Sequence, residues 1–213
     1  LYDEEGGPVR HVGRLLDTSE AAMRESQFRR KAERDSLTGL YNRAAALDRI
    51  ETALRTESRP CTLIVVDVDD FKAVNDSYGH PEGDYVLKRL AIFLSQVMRK
   101  EDIVARIGGD EFLIFIESPL DSTPAVERIF SSLRCTCKGH PITVSMGVAR
   151  APQDGMQFDE LFHCADRALY AAKQRGRNCY CLYDDPMAGQ LSVLSEIPSE
   201  EAGEQSPDQA CGQ

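Results

Sequence analysis

The residue pattern predicts an α/β (α+β) fold, a single sheet with helices packed on it, and three observations carry that prediction. Apolar spacing alternates along the chain between strand-like runs and the i, i+3, i+4 spacing of amphipathic helices. The segment TLIVVDV at 62–68 is a continuous, largely β-branched run, the composition of a strand covered on both faces. The apolar runs IVARI (103–107) and FLIFI (112–116) are joined by so short a Gly108-Gly109 connection that they must form an antiparallel hairpin, so the sheet is at least partly antiparallel.

The elements follow in order. Residues 1–17 read as a short hairpin turning at Gly6-Gly7 and ending in a strand through Val12, Leu15 and Leu16, with too few strands to stand alone. It is expected to be the end of an upstream domain. The D-x-x-E spacing of Asp17 and Glu20 can cap a helix over 18–34, a stretch without Gly or Pro whose apolar stripe is sparse (Ala21, Phe28, Ala32). Two readings stay open for it: a connecting, dimerising helix, or a solvated charged linker. A globular domain is expected over 35–184, with a helix near 42–57, the strand at 62–68, and a short helix opened by Phe71 and Lys72. A long helix over 83–99 follows, with Val86, Leu87, Leu90, Ala91, Leu94, Val97 and Met98 on one face. After the hairpin come a helix near 124–134, a strand at 142–149, a helix over 158–174 and a strand at 179–183. The stretch 185–213, rich in Ser, Glu, Gln, Pro and Gly, is expected to be a disordered acidic tail.

Charge placement narrows the function classes. The formal charge is −10, but residues 184–213 hold seven acids and no Lys or Arg, so the remainder is nearly neutral and offers no basic stripe for a nucleic-acid polymer. No run reaches the ~18 apolar residues needed to span a bilayer, and a cytoplasmic segment of a longer product is expected. The seven Cys are odd in number, lie mostly in apolar segments and lack zinc-knuckle spacing, which favours reduced thiols over metal ligands or disulfides.

Two sets of acids sit where strands end. Asp67 and Asp69 close the first core strand, and Asp110 and Glu111 occupy the tip of the Gly108-Gly109 hairpin. Burying a carboxylate costs several kcal/mol unless it is paired or bound to metal. If the two strands are neighbours these acids converge, and hard oxygen ligands without His or Cys suit magnesium; ordinary turn acids are the alternative. Phe71 and Lys72 open a helix directly after Asp69-Asp70, a start that suits a phosphate chain. Lys173 and Arg177, four residues apart at a helix end, could bind phosphate or simply offset the helix dipole. Asn75 and Asp84 have the donor and acceptor groups to read a guanine edge, or could serve as cap and turn residues beside Gly79 and Gly83.

Arg106-Ile-Gly-Gly-Asp-Glu-Phe112 resembles the signature of the GGDEF family, the diguanylate cyclases. Asp35-Ser-Leu-Thr-Gly-Leu-Tyr-Asn-Arg43, Asp67-Val-Asp-Asp-Phe-Lys-Ala-Val-Asn-Asp76, Gly79-His-Pro-Glu-Gly-Asp84, Ser145-Met-Gly147 and Ala165-Asp-Arg-Ala-Leu-Tyr-Ala-Ala-Lys-Gln-Arg-Gly-Arg-Asn178 extend the resemblance in the family's order over about 150 residues. It implies a nucleotidyl-cyclase, palm-like fold with a ferredoxin-like, mostly antiparallel central sheet flanked by helices. It also implies condensation of two GTP into cyclic di-GMP with release of two pyrophosphates. By motif position Asp67, the Val68 carbonyl, Asp110 and Glu111 would hold Mg2+, two ions per half-site, with Mn2+ as a substitute. Asp110, Glu111 and Lys72 would be catalytic, with Glu111 the candidate base for the 3′-hydroxyl. Phe71, Lys72, Gly108, Gly109, Lys173 and Arg177 would bind the substrate on its phosphate side, Asn75 and Asp84 would read guanine, and Leu37 would line the base pocket.

Because the product joins two nucleotides head to tail, a homodimer with facing half-sites is implied, which would give the 18–34 helix a switching role. Val12-Gly-Arg-Leu-Leu-Asp-Thr-Ser-Glu20 resembles the last strand of a PAS sensor domain. Arg99-Lys-Glu-Asp102, five residues before Gly108, matches the family's R-x-x-D site, where cyclic di-GMP binds as an inhibitor. Two positions depart from the pattern: Asp70 stands where an aromatic or bulky residue is frequent, and Ala44 where a second Arg is usual. A non-catalytic receptor for GTP or cyclic di-GMP, or a GTP-binding regulator of a phosphodiesterase domain, are the competing readings.

Overall fold

A computed structural model of the protein describes residues 32–56, 59–117, 122–133, 135–137 and 139–183. The expected hairpin at 1–17, most of the helix expected at 18–34 and the tail lie outside them. Chain order is β1 (Tyr41–Asn42), α1 (Arg43–Thr56), β2 (Cys61–Val68), α2 (Phe71–Tyr78), α3 (His80–Val97), β3 (Ile103–Arg106), β4 (Glu111–Glu117), α4 (Thr123–Ser132), β5 (Cys135–Cys137), β6 (His140–Ile142), β7 (Val144–Ala151), α5 (Phe158–Gln174) and β8 (Tyr180–Leu182).

Six strands form one sheet in the order β1-β3-β4-β2-β7-β8, and β5-β6 form a separate small hairpin. The four central strands pair antiparallel, while the two edge strands β1 and β8 pair parallel. All eight residues of β2 are buried, as its continuous apolar run requires of a strand at the centre of a covered sheet. Period-two alternation splits the core. Ile64, Val66, Ile114, Met146 and Val148 pack with α3 and α4, whereas Leu63, Val65, Leu113, Phe115 and Ala149 pack with α1 and α5. Odd-numbered residues of β2 therefore face α5, and Asp67 and Asp69 inherit that direction.

α5 lies close on the sheet because small residues allow it. A Cβ on Gly147 would stand 2.0 Å from the Ala165 carbonyl oxygen and 2.2 Å from the Leu169 nitrogen, so only glycine lets this helix seat on β7. Its start is fixed by a capping box between Gln157 and Glu160.

Two expectations change in detail, and one strand escapes the sequence pattern. α3 begins at His80 rather than 83, because Pro81 is at home in a first helical turn and Gly83 is buried inside the helix. Ile142 pairs with Cys135 in the small hairpin, and the central strand starts only at Val144. β1, two residues long, has no periodicity by which a sequence pattern could reveal it. Cys61, Cys137, Cys164, Cys179 and Cys181 are not joined in disulfides.

Candidate active site

The acids at the end of β2 meet those of the hairpin. Asp67 is directly opposite Glu111 in the β2–β4 register, and the Val68 N–H donates to the Asp110 carbonyl at 3.2 Å. α5, seated by Gly147, brings Lys173 to the same point, where its ammonium meets Asp67 Oδ2 at 2.8 Å. Burial pushes the Asp67 carboxyl up; Lys173 pulls it down, Asp110 and Asp69 push it up, and the net value lies above the usual carboxylate range. Glu111 is raised for the same reasons: burial first, then the charges of Asp67 and Asp110. Asp110 and Glu111 thus add negative charge beside the Asp67–Lys173 pair.

Behind the turn, Arg106 donates through Nη2 and Nε to the Gly109 carbonyl at 2.7 and 3.2 Å, and through Nη1 to Asp35 at 3.2 Å. Asp35 also accepts from the Thr38 N–H (2.9 Å) and hydroxyl (2.6 Å). Burial pushes Asp35 up, but these hydrogen bonds together outweigh it and hold the carboxyl below its usual range. Gly108 lies against the Glu111 side chain, whose Oε2 a Cβ there would meet at 2.5 Å. Nothing in the sequence pattern singles out the Asp35–Arg106 pair, whose members are 71 residues apart.

Asp70, one of the two departures from the family pattern, stands beside Arg177. Asp70 opens α2 in the left-handed region (φ 52°), which Asp tolerates better than a bulky residue would, and its carboxylate lies 3.5 Å from Arg177 Nε. Both groups are exposed, so the pair is weak. Lys72 and Asp84 are exposed, while Asn75 on α2 presses its side-chain oxygen against Gly83 of α3, where a Cβ would sit 2.1 Å away. Phe71 touches the same glycine, and Leu37 and Phe71 pack against one apolar cluster. Gly83 is therefore what lets α2 and α3 close beside Asn75.

The donor set fits a hard divalent cation. Asp67, Asp110 and Glu111 offer only oxygen, and their mutual repulsion would be relieved by added positive charge. Among the described residues no three His, Cys, Asp or Glu side chains are grouped closely enough to hold an ion by themselves as a three-ligand set. Magnesium would need only one or two carboxylates and would complete its shell with water and substrate phosphate.

Comparison with known proteins decides the family. Residues 32–179 match the family model described as "Diguanylate cyclase, GGDEF domain". The chain belongs to the GGDEF-domain diguanylate cyclase family. It is similar to the bifunctional diguanylate cyclase/cyclic di-GMP phosphodiesterase MucR of Pseudomonas aeruginosa, 39% identical over 76% of this chain and 26% of that protein. It is also similar to the diguanylate cyclase DgcS of Shewanella oneidensis, 36% identical over 79% of this chain and 58% of that protein. The chain thus spans well under two thirds of these relatives' length. The crystal structure of the coiled coil and GGDEF domain of DgcB from Caulobacter crescentus in complex with c-di-GMP superposes with a TM-score of 0.68. Its identity is 29%, over 78% of this chain and 93% of that one.

In this GGDEF domain the R-x-x-D segment lies at the other end of the sheet from Asp67. It closes a turn between α3 and β3: Asp102 Oδ2 accepts from the Arg99 N–H at 2.7 Å, and Asp102 N–H donates to the Arg99 carbonyl at 3.2 Å. Burial raises the Asp102 carboxyl despite the pull of Arg99. A cavity of about 550 Å³ opens alongside, between α1 (Asp48, Arg49, Thr52) and Lys100, Glu101 and Asp102. No helix among the described residues is long and apolar enough to cross a membrane.

Proposed function

We propose that the chain is a diguanylate cyclase domain that condenses two GTP into cyclic di-GMP and releases two pyrophosphates, working as a homodimer of facing half-sites. The observation that carries this reading is the convergence of Asp67 with Asp110 and Glu111 where β2 and β4 meet, beside the Lys173 ammonium that pairs with Asp67, a place that gains from cationic ligands and a phosphate chain arriving together. In this reading Asp67, the Val68 carbonyl, Asp110 and Glu111 hold Mg2+, two ions per half-site, with Mn2+ able to substitute. The bound ions supply charge stabilisation at the α-phosphorus and lower the pKa of the 3′-hydroxyl.

The chain's own residues do the rest. Lys72, Lys173 and Arg177 hold the outer phosphates, and the Gly108-Gly109 turn, braced by Arg106, gives the phosphates close access to backbone. Asn75 and Asp84 read the guanine edge beside Leu37 and Phe71. Glu111, its carboxyl raised by burial first and then by the charges of Asp67 and Asp110, is the candidate to accept the 3′-hydroxyl proton. The two-fold arrangement supplies the second nucleotide, since one domain offers one such site. Arg99 and Asp102 would bind the product and restrain turnover, and the upstream hairpin and helix would carry the signal of a PAS-like sensor. Incubation with GTP and Mg2+, followed by nucleotide chromatography, is expected to yield cyclic di-GMP; bound but unconverted GTP in a demonstrably dimeric sample would replace this reading with a receptor.

A further inference from the structure

Asp69 is a buried carboxylate that the chemistry above does not use. It points to the same side of β2 as Asp67 and is as deeply buried, at 6% exposure against 8%. Its oxygens are nonetheless committed. Oδ1 accepts from the Ser145 hydroxyl at 2.6 Å, and Oδ2 accepts from the Thr143 hydroxyl at 2.7 Å and from the Asn178 N–H at 3.0 Å. Its own N–H donates to the Thr143 carbonyl at 3.0 Å.

The Asn178 bond matters most for the site, because of the backbone it anchors. Gly176, Arg177 and Asn178 all have positive φ (102°, 64° and 49°), and the last two are L-residues in a region they rarely adopt. Such a run persists only where its surroundings over-determine it. On one side it is held by the end of α5, through the Gly176 N–H to the Lys173 carbonyl and the Arg177 N–H to the Ala172 carbonyl; on the other side Asn178 is held by Asp69. Arg177, between these anchors, is one of the cations assigned to phosphate.

We infer that Asp69 is a positioning residue, not a metal ligand: its carboxylate clamps the left-handed Arg177–Asn178 segment and the start of β7 to the end of β2, and so sets the Arg177 guanidinium for the nucleotide's phosphates. This rests on the reading of the site as a GTP site. What the position needs is hydrogen-bond acceptance at Oδ2, not charge. An asparagine can supply it, with its amide turned to the Ser145 hydroxyl, which can reverse and accept.

The test measures affinity for the α,β-methylene analogue of GTP in Mg2+ by calorimetry, alongside GTP turnover, for Asp69→Ala, Asp69→Asn, Arg177→Ala and the Asp69→Ala/Arg177→Ala double variant. Asp69→Ala is expected to weaken analogue binding about tenfold, the scale of a lost hydrogen bond to a charged group, and Asp69→Asn to stay within about twofold of wild type. In the Arg177→Ala background the Asp69→Ala step should shrink to less than about twofold, since the residue acts through Arg177. Full additivity would mean that Asp69 supports only the fold and would overturn the inference. Equal damage from Asn and Ala, with a raised Mg2+ requirement, would make Asp69 a ligand and overturn it too. Should Asp69→Ala not fold by circular dichroism, Thr143→Val removes one donor without touching the carboxylate, and the same coupling to Arg177 is expected, with its absence contradicting the clamp. Coupling in analogue binding without any cyclic di-GMP from wild type would sink the cyclase reading alone; cyclic di-GMP formation without coupling would sink the clamp alone; wild type that binds no analogue would sink both.

Discussion

Two acidic corners flank the Gly108-Gly109 turn, and they are built oppositely. Asp35, behind the turn, is satisfied: it accepts from Thr38 and Arg106, and its carboxyl sits below the usual range. Asp67 and Glu111, in front, stand beside Asp110 with the Lys173 ammonium on Asp67, and both sit above that range. The contrast separates acids that hold the fold from acids that stay available to a ligand. Both corners are built on carboxylates, so residue type alone does not distinguish them; the number of donors delivered to each does.

The largest effect should come from the unsatisfied corner. Asp110→Ala is expected to cut cyclic di-GMP formation by about a thousandfold or more while circular dichroism and melting temperature stay near wild type. Undiminished product would place the metal site elsewhere.

The satisfied corner should respond in the opposite sense. Asp35→Ala removes a hub of hydrogen bonds and is expected to cost about 1–3 kcal/mol, a fall of several degrees in melting temperature, with lower turnover through a loosened Gly108-Gly109 turn. Glu111→Gln relieves repulsion instead and should raise the melting temperature by a few degrees although turnover falls. A melting temperature lowered as much as by Asp35→Ala would erase the distinction between the corners.

Their pH dependences differ in sign. Asp35, lowered, contributes stability that is present above the ordinary carboxylate pKa and lost as pH falls through its own. Asp67 and Glu111, raised, contribute stability that is present at low pH and lost as pH rises through theirs. The Glu111→Gln stabilisation should therefore grow as pH climbs above the ordinary glutamate value and vanish below it, as melting curves across that range would reveal. For the same reason the acidic limb of turnover should lie above ordinary carboxylate values and move to lower pH with more Mg2+, since the ion competes with protons for these oxygens. The smallest expected effect is at the far end of the sheet, where Arg99→Ala should raise the concentration of cyclic di-GMP needed for half-inhibition about tenfold; an unchanged inhibition curve would leave the R-x-x-D segment as a turn between α3 and β3 only.

Much of this was legible before any coordinates. β2, β4 and β7 announce themselves by apolar runs, and acids abutting such runs mark Asp67, Asp110 and Glu111 as needing a partner. The fates of Asp67 and Asp69 were not legible, because alternation gives both the same face. What separates them is donors arriving from Thr143, Ser145 and Asn178, up to 109 residues away, and Lys173 arriving on α5. Close approach of helix to sheet at Gly147 decides those meetings, and no local pattern encodes it. Short pairings such as β1 and β5-β6 escape for the same reason, being stabilised by their neighbours and not by their own residues.

The central claim is that the crowded carboxylates exist to hold divalent cations with the nucleotide. Electron paramagnetic resonance of Mn2+ titrated into the protein with the α,β-methylene analogue of GTP tests it most directly. Wild type should bind Mn2+ beyond what the analogue holds alone, and an Asp67→Asn/Asp110→Asn variant that still folds should lose that excess; equal Mn2+ uptake by the two proteins would contradict the account.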